Sequence, residues 1–268
     1  MDWHRLFGLI LSDLFTGSEY DVELEKDLSV RRQLLDVVII RRGGGAFDGR
    51  LPDGLEDMPE HNLLSYKSMR EPLDDWTLKE LTGHYVNYRK QMTPPRDPLL
   101  PESRFRLYGV STRFPRKLAR EAGPEIWRPI QSGVYELTRV TDRIRVIVLS
   151  ELPQEPHNAP WLLFSGVAEL VRYGTEHYRM RMDETSSMLA KLYENYQTEG
   201  LNMPYTIDDF RREIVRENIE LLSPEERMKG LPAEERLEGL SASELEAHLK
   251  RLRSRENDSE AEFTEEPQ

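Results

Sequence analysis

The chain has 268 residues, 38% of them hydrophobic and 32% charged, a balance that allows a packed core and one large domain or two small ones. Its 37 Lys and Arg against 49 Asp and Glu leave a formal charge of −12, which excludes a protein that coats DNA by bulk charge but not a local basic cleft. There is no Cys, so disulfide scaffolds, thiolate zinc sites and thiol nucleophiles are excluded together.

Trp3, Leu6, Phe7, Ile10, Leu11 and Leu14 recur at the spacing of a short amphipathic helix. The same segment carries Asp2 and Asp13 and no small-residue cleavage site, so it reads poorly as a signal peptide. No apolar run approaches the roughly 20 residues of a membrane span. A soluble, cytoplasmic protein with no membrane partner is expected. Strand-like runs follow at 21–25 and 34–40. The second, LLDVVII, is apolar except for Asp36, as in a strand covered on both faces. Gly43-Gly44-Gly45 opens a loop that continues to about residue 60, and no Lys-Ser/Thr follows to make it a phosphate loop.

Residues 62–67 form a third strand candidate. Asp74 and Asp75 can cap a helix over 76–92, where Leu78, Leu81, Tyr85, Tyr88 and Met92 share one face before Thr93-Pro94-Pro95 stops it. Further strands are expected at 105–110, 134–137, 144–149 and 161–164. Helical patterns begin near residue 167, notably 182–196 and 207–222. Apolar strands intermixed with helices predict an α/β layer fold with a helical C-terminal part.

LSPEERMKG, LPAEERLEG and LSASELEAH repeat with a nine-residue period. Ser223-Pro224-Glu225-Glu226 reads as a capping box with Pro at the first helical position, and Gly230 and Gly239 read as stops. The expected organisation is one α/β domain over 1–221, short helical repeats over 222–252, and a disordered acidic tail over 253–268. Units this short are marginal as isolated helices, so the repeats are expected to pack on the main domain, a second copy or a protein partner.

Charges on apolar strands mark the candidate chemistry. Glu23 and Glu25 share one strand face, Asp36 interrupts the second run, and Lys67 closes the third. Carboxylates and a lysine gathered at strand ends would suit a divalent metal and a phosphate. Two roles stay open for Asp36: a metal ligand, or a buried carboxylate satisfied by main-chain N–H groups.

The segments EKDLSVRRQLLDVVIIRR, HNLLSYKSMRE and WTLKELTGHYVNYRK, with the nine-residue repeats, resemble bacterial proteins of the PD-(D/E)xK nuclease-like superfamily. The likeness is to the Rpn-type group of recombination-promoting nucleases and transposases. The resemblance implies a restriction-endonuclease-like mixed sheet flanked by helices, Mg²⁺-dependent hydrolysis of phosphodiesters, and DNA as substrate. It places Asp36 at the motif's metal-binding Asp and Lys67 at its Lys. Glu23 or Glu25 would supply a further acid, with Asp36 and Glu25 as the metal pair. The motif expects Asp or Glu two positions before the Lys, and this chain has Ser65. The implied alternatives are therefore an endonuclease, or a catalytically degenerate nuclease fold that binds DNA or protein.

On the following helix, His84 and Asn87 are candidates for an auxiliary role near the metal. The six His show no HExxH spacing, which argues against zinc. Arg104, Arg106, Arg113, Arg116, Lys117 and Arg120, with Tyr108 and Phe114 between them, could track a nucleic-acid backbone or form a solvated basic face.

Overall fold

The computed structural model describes residues 3–27, 34–43, 47–139, 142–181 and 185–200, and, further on, 212, 219, 223–230, 232–237, 241–247 and 249–251. The chain divides into two compact units, Met1–Phe210 and Arg211–Gln268.

The first unit is built on a seven-stranded mixed sheet: β1 (Tyr20–Asp27), β2 (Leu34–Arg41), β3 (His61–Lys67), β4 (Phe105–Ser111), β5 (Trp127–Gln131), β6 (Val134–Arg139) and β7 (Asp142–Val148). The order is β1-β2-β3-β4-β7-β6-β5. Strands β3, β4 and β7 are mutually parallel, and the remaining neighbours pair antiparallel. The central strands are apolar because both faces are covered. The chain is thus an α/β protein with a mixed sheet.

Helix α2 (Asp75–Met92) makes the crossover between the parallel strands β3 and β4. Asp74 caps it, accepting from the Thr77 N–H at 2.9 Å, and this removes one orphan donor of the first turn. Its buried Leu78, Leu81, Tyr85 and Tyr88 belong to one core with Val38, Leu63 and Leu107. Helix α1 (Trp3–Leu14) approaches Leu24 and Val37. Adjacent strand residues point to opposite faces, so Val37 and Val38 put α1 and α2 on opposite sides of the sheet.

The α1 face is aromatic. Phe7 stacks on Tyr66 at 4.3 Å and on Trp161 at 5.5 Å between ring centroids. Trp3 meets Tyr196 edge-on at 4.9 Å. Tyr196 comes from α6 (Thr185–Thr198), which follows α3 (Arg116–Ala122), α4 (Ala159–Leu162) and α5 (Ala168–His177).

The strand expected at 161–164 is instead the helix α4 and its closing turn. An apolar run of four cannot by itself separate strand from buried helix. Pro160 sits in the first turn, where Pro is tolerated, and all four helical residues are buried. The edge strand β5 and helix α3 also lie outside the predicted elements. The expected helix at 207–222 and the acidic tail at 253–268 lie outside the described residues, save for scattered positions in the former.

In the second unit the described residues include α7 (Pro224–Met228) and α8 (Ala233–Leu237). Ser223 and Glu226 form a reciprocal capping box, and the left-handed φ of 88° at Gly230 follows α7. Among the described residues no helix is long and apolar enough to cross a membrane.

Gly8 sets how closely α1 lies on the sheet: a Cβ there would stand 2.6 Å from Leu24 Cδ2 and 3.5 Å from Val37 Cγ2. Gly8→Val should lower stability by about 1–3 kcal/mol, the usual cost of overpacking. Urea denaturation measures this, and unchanged stability would show that α1 is not seated through Gly8.

Candidate functional site

Parallel pairing sets Lys67 of β3 beside Ser111 of β4, so both strands deliver their carboxyl ends to one edge of the sheet. Ligand sites in open α/β sheets gather outside such ends. Strand β2 runs against β3 and therefore begins at the same edge. Asp36 and Ser65 meet there, joined by His4 from the first turn of α1, and Lys67 ends β3 at the same edge.

The β2–β3 register closes at Val37↔Leu64. One step further the Asp36 carboxylate fills the gap. Its Oδ2 accepts from the Tyr66 main-chain N–H at 2.8 Å and from Ser65 Oγ at 3.2 Å. Its Oδ1 lies 2.9 Å from His4 Nδ1. His4 Nε2 in turn lies 2.9 Å from Glu71 Oε2, which also accepts from Ser68 Oγ at 3.2 Å. The result is a continuous chain from Ser65 through Asp36, His4 and Glu71 to Ser68.

Burial pushes the His4 pKa down, but the hydrogen bonds and charges of Asp36 and then Glu71 outweigh it and raise it to about 9. At neutral pH His4 is therefore an imidazolium between two carboxylates. Glu71 is lowered in return: burial opposes ionisation, and the bond and charge of His4, then the charge of Lys67, overcome it. The Asp74 carboxyl is also lowered, first by the Thr77 N–H and partly by Lys67. Lys67 itself forms no ion pair among the described residues.

The other sequence-predicted positions fall in different places. Glu23 pairs with Val38 across the strands and is bonded by Arg42 Nη2 at 3.2 Å. That draws it toward the opposite end of the hairpin from Asp36. Glu25 lies in β1 between Leu24, paired with Val37, and Lys26, paired with Leu35. That register sets its backbone across from Asp36, and its side chain lies outside the described part of the structure. Half-buried His84 feels the charge of Asp36, although burial dominates and lowers its pKa. Asn87 is exposed and makes no hydrogen bond among the described residues.

The basic stretch is split by β4. Arg104 pairs with Glu60 through both Nε and Nη2, and Arg106 donates to the Asp57 carbonyl at 2.6 Å. Both sit at the amino end of the strand. Arg113, Arg116 and Lys117 lie beyond its carboxyl end, where they line a cleft of about 350 Å³ whose other wall includes Glu71, Leu73 and Asp74. Arg113 and Arg116 make no ion pair among the described residues, whereas Lys117 stands 4.0 Å from Glu121.

Among the described side chains, which do not include that of Glu25, Asp36 and Glu71 are not arranged for Mg²⁺. A hard divalent ion needs several oxygens converging at about 2.0–2.1 Å, and the His4 ring stands between the two carboxylates instead. Among the described residues no group of three or more His, Asp or Glu could hold a metal. His4 and Glu71 are absent from the sequence-predicted site. No short motif contains them, because His4 meets Asp36 across 32 positions and Glu71 across 67. The chain matches no protein-family model, no curated protein and no solved structure.

The raised pKa makes stability depend on pH. His4 binds its proton more tightly in the folded chain than in the unfolded one, where its pKa is about 6.5. Its contribution is therefore full below about 6.5 and is lost as pH rises through about 9. The stability gap between wild type and His4→Gln, measured by urea denaturation, should shrink over that window. A gap that is constant with pH would remove the imidazolium from the site.

Proposed function

We propose that the chain is a nucleic-acid-binding module on a restriction-endonuclease-like scaffold and holds a phosphodiester strand without cutting it. The scaffold assignment rests on the mixed sheet with helices on both faces, and on Asp36 and Lys67 lying at the same edge of that sheet. The observation that carries the function is the cleft at that edge. It sets Arg113 and Arg116, which make no ion pair among the described residues, with Lys117, opposite a site where His4 occupies the space between the acids. Arginines and lysines that neutralise phosphates release the counterions condensed on the nucleic acid, and that release favours binding. The hydroxyl of Ser65 supplies a hydrogen bond to Asp36 where the motif would supply a second ligand charge.

Fluorescence anisotropy with a labelled DNA duplex in EDTA should show binding that weakens as salt rises. Arg113→Ala with Arg116→Ala should weaken it and reduce the salt slope by about one for each phosphate no longer neutralised. Arg104→Ala, at the other end of β4, should leave it unchanged. Absence of binding, or binding indifferent to the double substitution, would overturn the reading.

The Mg²⁺-dependent endonuclease remains the second reading, favoured by the placement of Asp36 and Lys67 at one sheet edge. Ser65→Asp tests whether the site can take a metal. It replaces a donor to Asp36 with a like charge, so the variant should melt lower than wild type in EDTA and recover with Mg²⁺. Wild type should leave plasmid DNA intact with Mg²⁺. Cleavage by wild type that Asp36→Asn abolishes would establish the endonuclease instead.

A further inference from the structure

About 15 Å from His4, at the far end of α1, lies a second cavity with a different character, taking ten residues at the helical rise. It has a volume of about 470 Å³ and is bounded by Leu14, residues 47–50, the turn before α4 and the segment after α5. That size lies within the roughly 300–1,000 Å³ of small-molecule sites. Arg50, His157, His177, Arg179 and Arg181 line it, against Asp48 as the single acid. In a chain with a formal charge of −12, three arginines against one carboxylate in the lining is a local reversal of that balance.

The cavity is held in shape by two buried carboxylates. Asp53, 4% exposed, fixes Arg50 and His157 at 3.0 Å each and Asn158 at 2.8 Å. Asp13, fully buried, accepts from the Tyr178 hydroxyl and from the Arg181 main-chain N–H at 2.9 Å. It thereby pins the segment that carries Arg179 and Arg181. The Arg181 guanidinium lies over the Phe47 ring at 5.1 Å and donates to the Asp48 carbonyl at 3.3 Å. Arg179 has no partner among the described residues. His177 stacks on Tyr173 at 3.9 Å, with Nδ1 engaged at the Tyr173 carbonyl. Its Nε2 has no partner among the described residues, and Leu14, Phe47 and Pro160 supply apolar wall.

We propose that this cavity binds a small phosphorylated molecule with a planar ring, of the nucleoside monophosphate class. The arginines supply charge-assisted hydrogen bonds to the phosphate, and the apolar and aromatic wall takes the ring. The inference stands apart from the DNA-binding cleft, which lies at the other end of α1 and uses other cations.

Isothermal titration of the full chain with AMP, UMP, adenosine and inorganic phosphate tests it. At least one nucleotide should bind tenfold or more tightly than adenosine or phosphate alone. Arg179→Ala with Arg181→Ala, both exposed side chains, should weaken nucleotide binding at least tenfold while the circular dichroism spectrum is kept. Arg113→Ala with Arg116→Ala should leave it unchanged. No binding of either nucleotide, equal binding of phosphate alone, or an affinity indifferent to Arg179 and Arg181 would overturn the proposal.

Discussion

The Tyr66 main-chain N–H points toward a strand that no longer pairs with it, and the Asp36 carboxylate is the group that satisfies it. A buried donor left open costs about 1–3 kcal/mol, so this one bond holds the mouth between β2 and β3 in place. The remaining order follows from its charge. A carboxylate taken out of water needs compensation, and His4 supplies it. His4 reaches Asp36 because Gly8 lets α1 lie close on Leu24 and Val37, while Phe7 stacks on Tyr66, the residue whose N–H is bonded. Glu71 then balances the imidazolium and ties down the segment that leads into α2. Local electrostatics, helix docking and the start of the cleft are consequences of one interrupted ladder.

The same chain of causes explains what could be read from the sequence. Helix α2 was legible because its cap, its apolar stripe and its Pro stop all lie close together in the chain and agree with one another. Asp36 was legible as a lone charge in an apolar strand, and its role as an acceptor for main-chain N–H was one of the two alternatives the residues left open. Its partner His4, and Glu71 behind that ring, were not legible, because they come together only through tertiary packing. Residues 161–164 misled because an apolar run carries no period, and the expected strand is a helix buried on every side. Strand β5 escaped because Pro129 and a polar, exposed face are tolerated only at a sheet edge.

Charge is segregated more sharply than the total suggests. Seen as a linear run, the basic residues at 104–117 form one patch, yet β4 carries them to two ends of a strand and only the carboxyl-end group enters the cleft. A second group of cations, drawn from residues 50 to 181, comes together only through the clamps of Asp53 and Asp13. An acidic protein can present anion-binding surfaces where the fold gathers its cations and sends its carboxylates to structural tasks.

His4, protonated between Asp36 and Glu71, is the cation that balances the two carboxylates. Nitrogen-15 NMR of histidine-labelled protein at pH 8, with the His4 signals assigned through their loss in His4→Gln, tests it most directly. Imidazolium shifts are expected for His4, unchanged under saturating Mg²⁺. A neutral ring at that pH, or a His4 displaced from its carboxylates when Mg²⁺ is added, would contradict it.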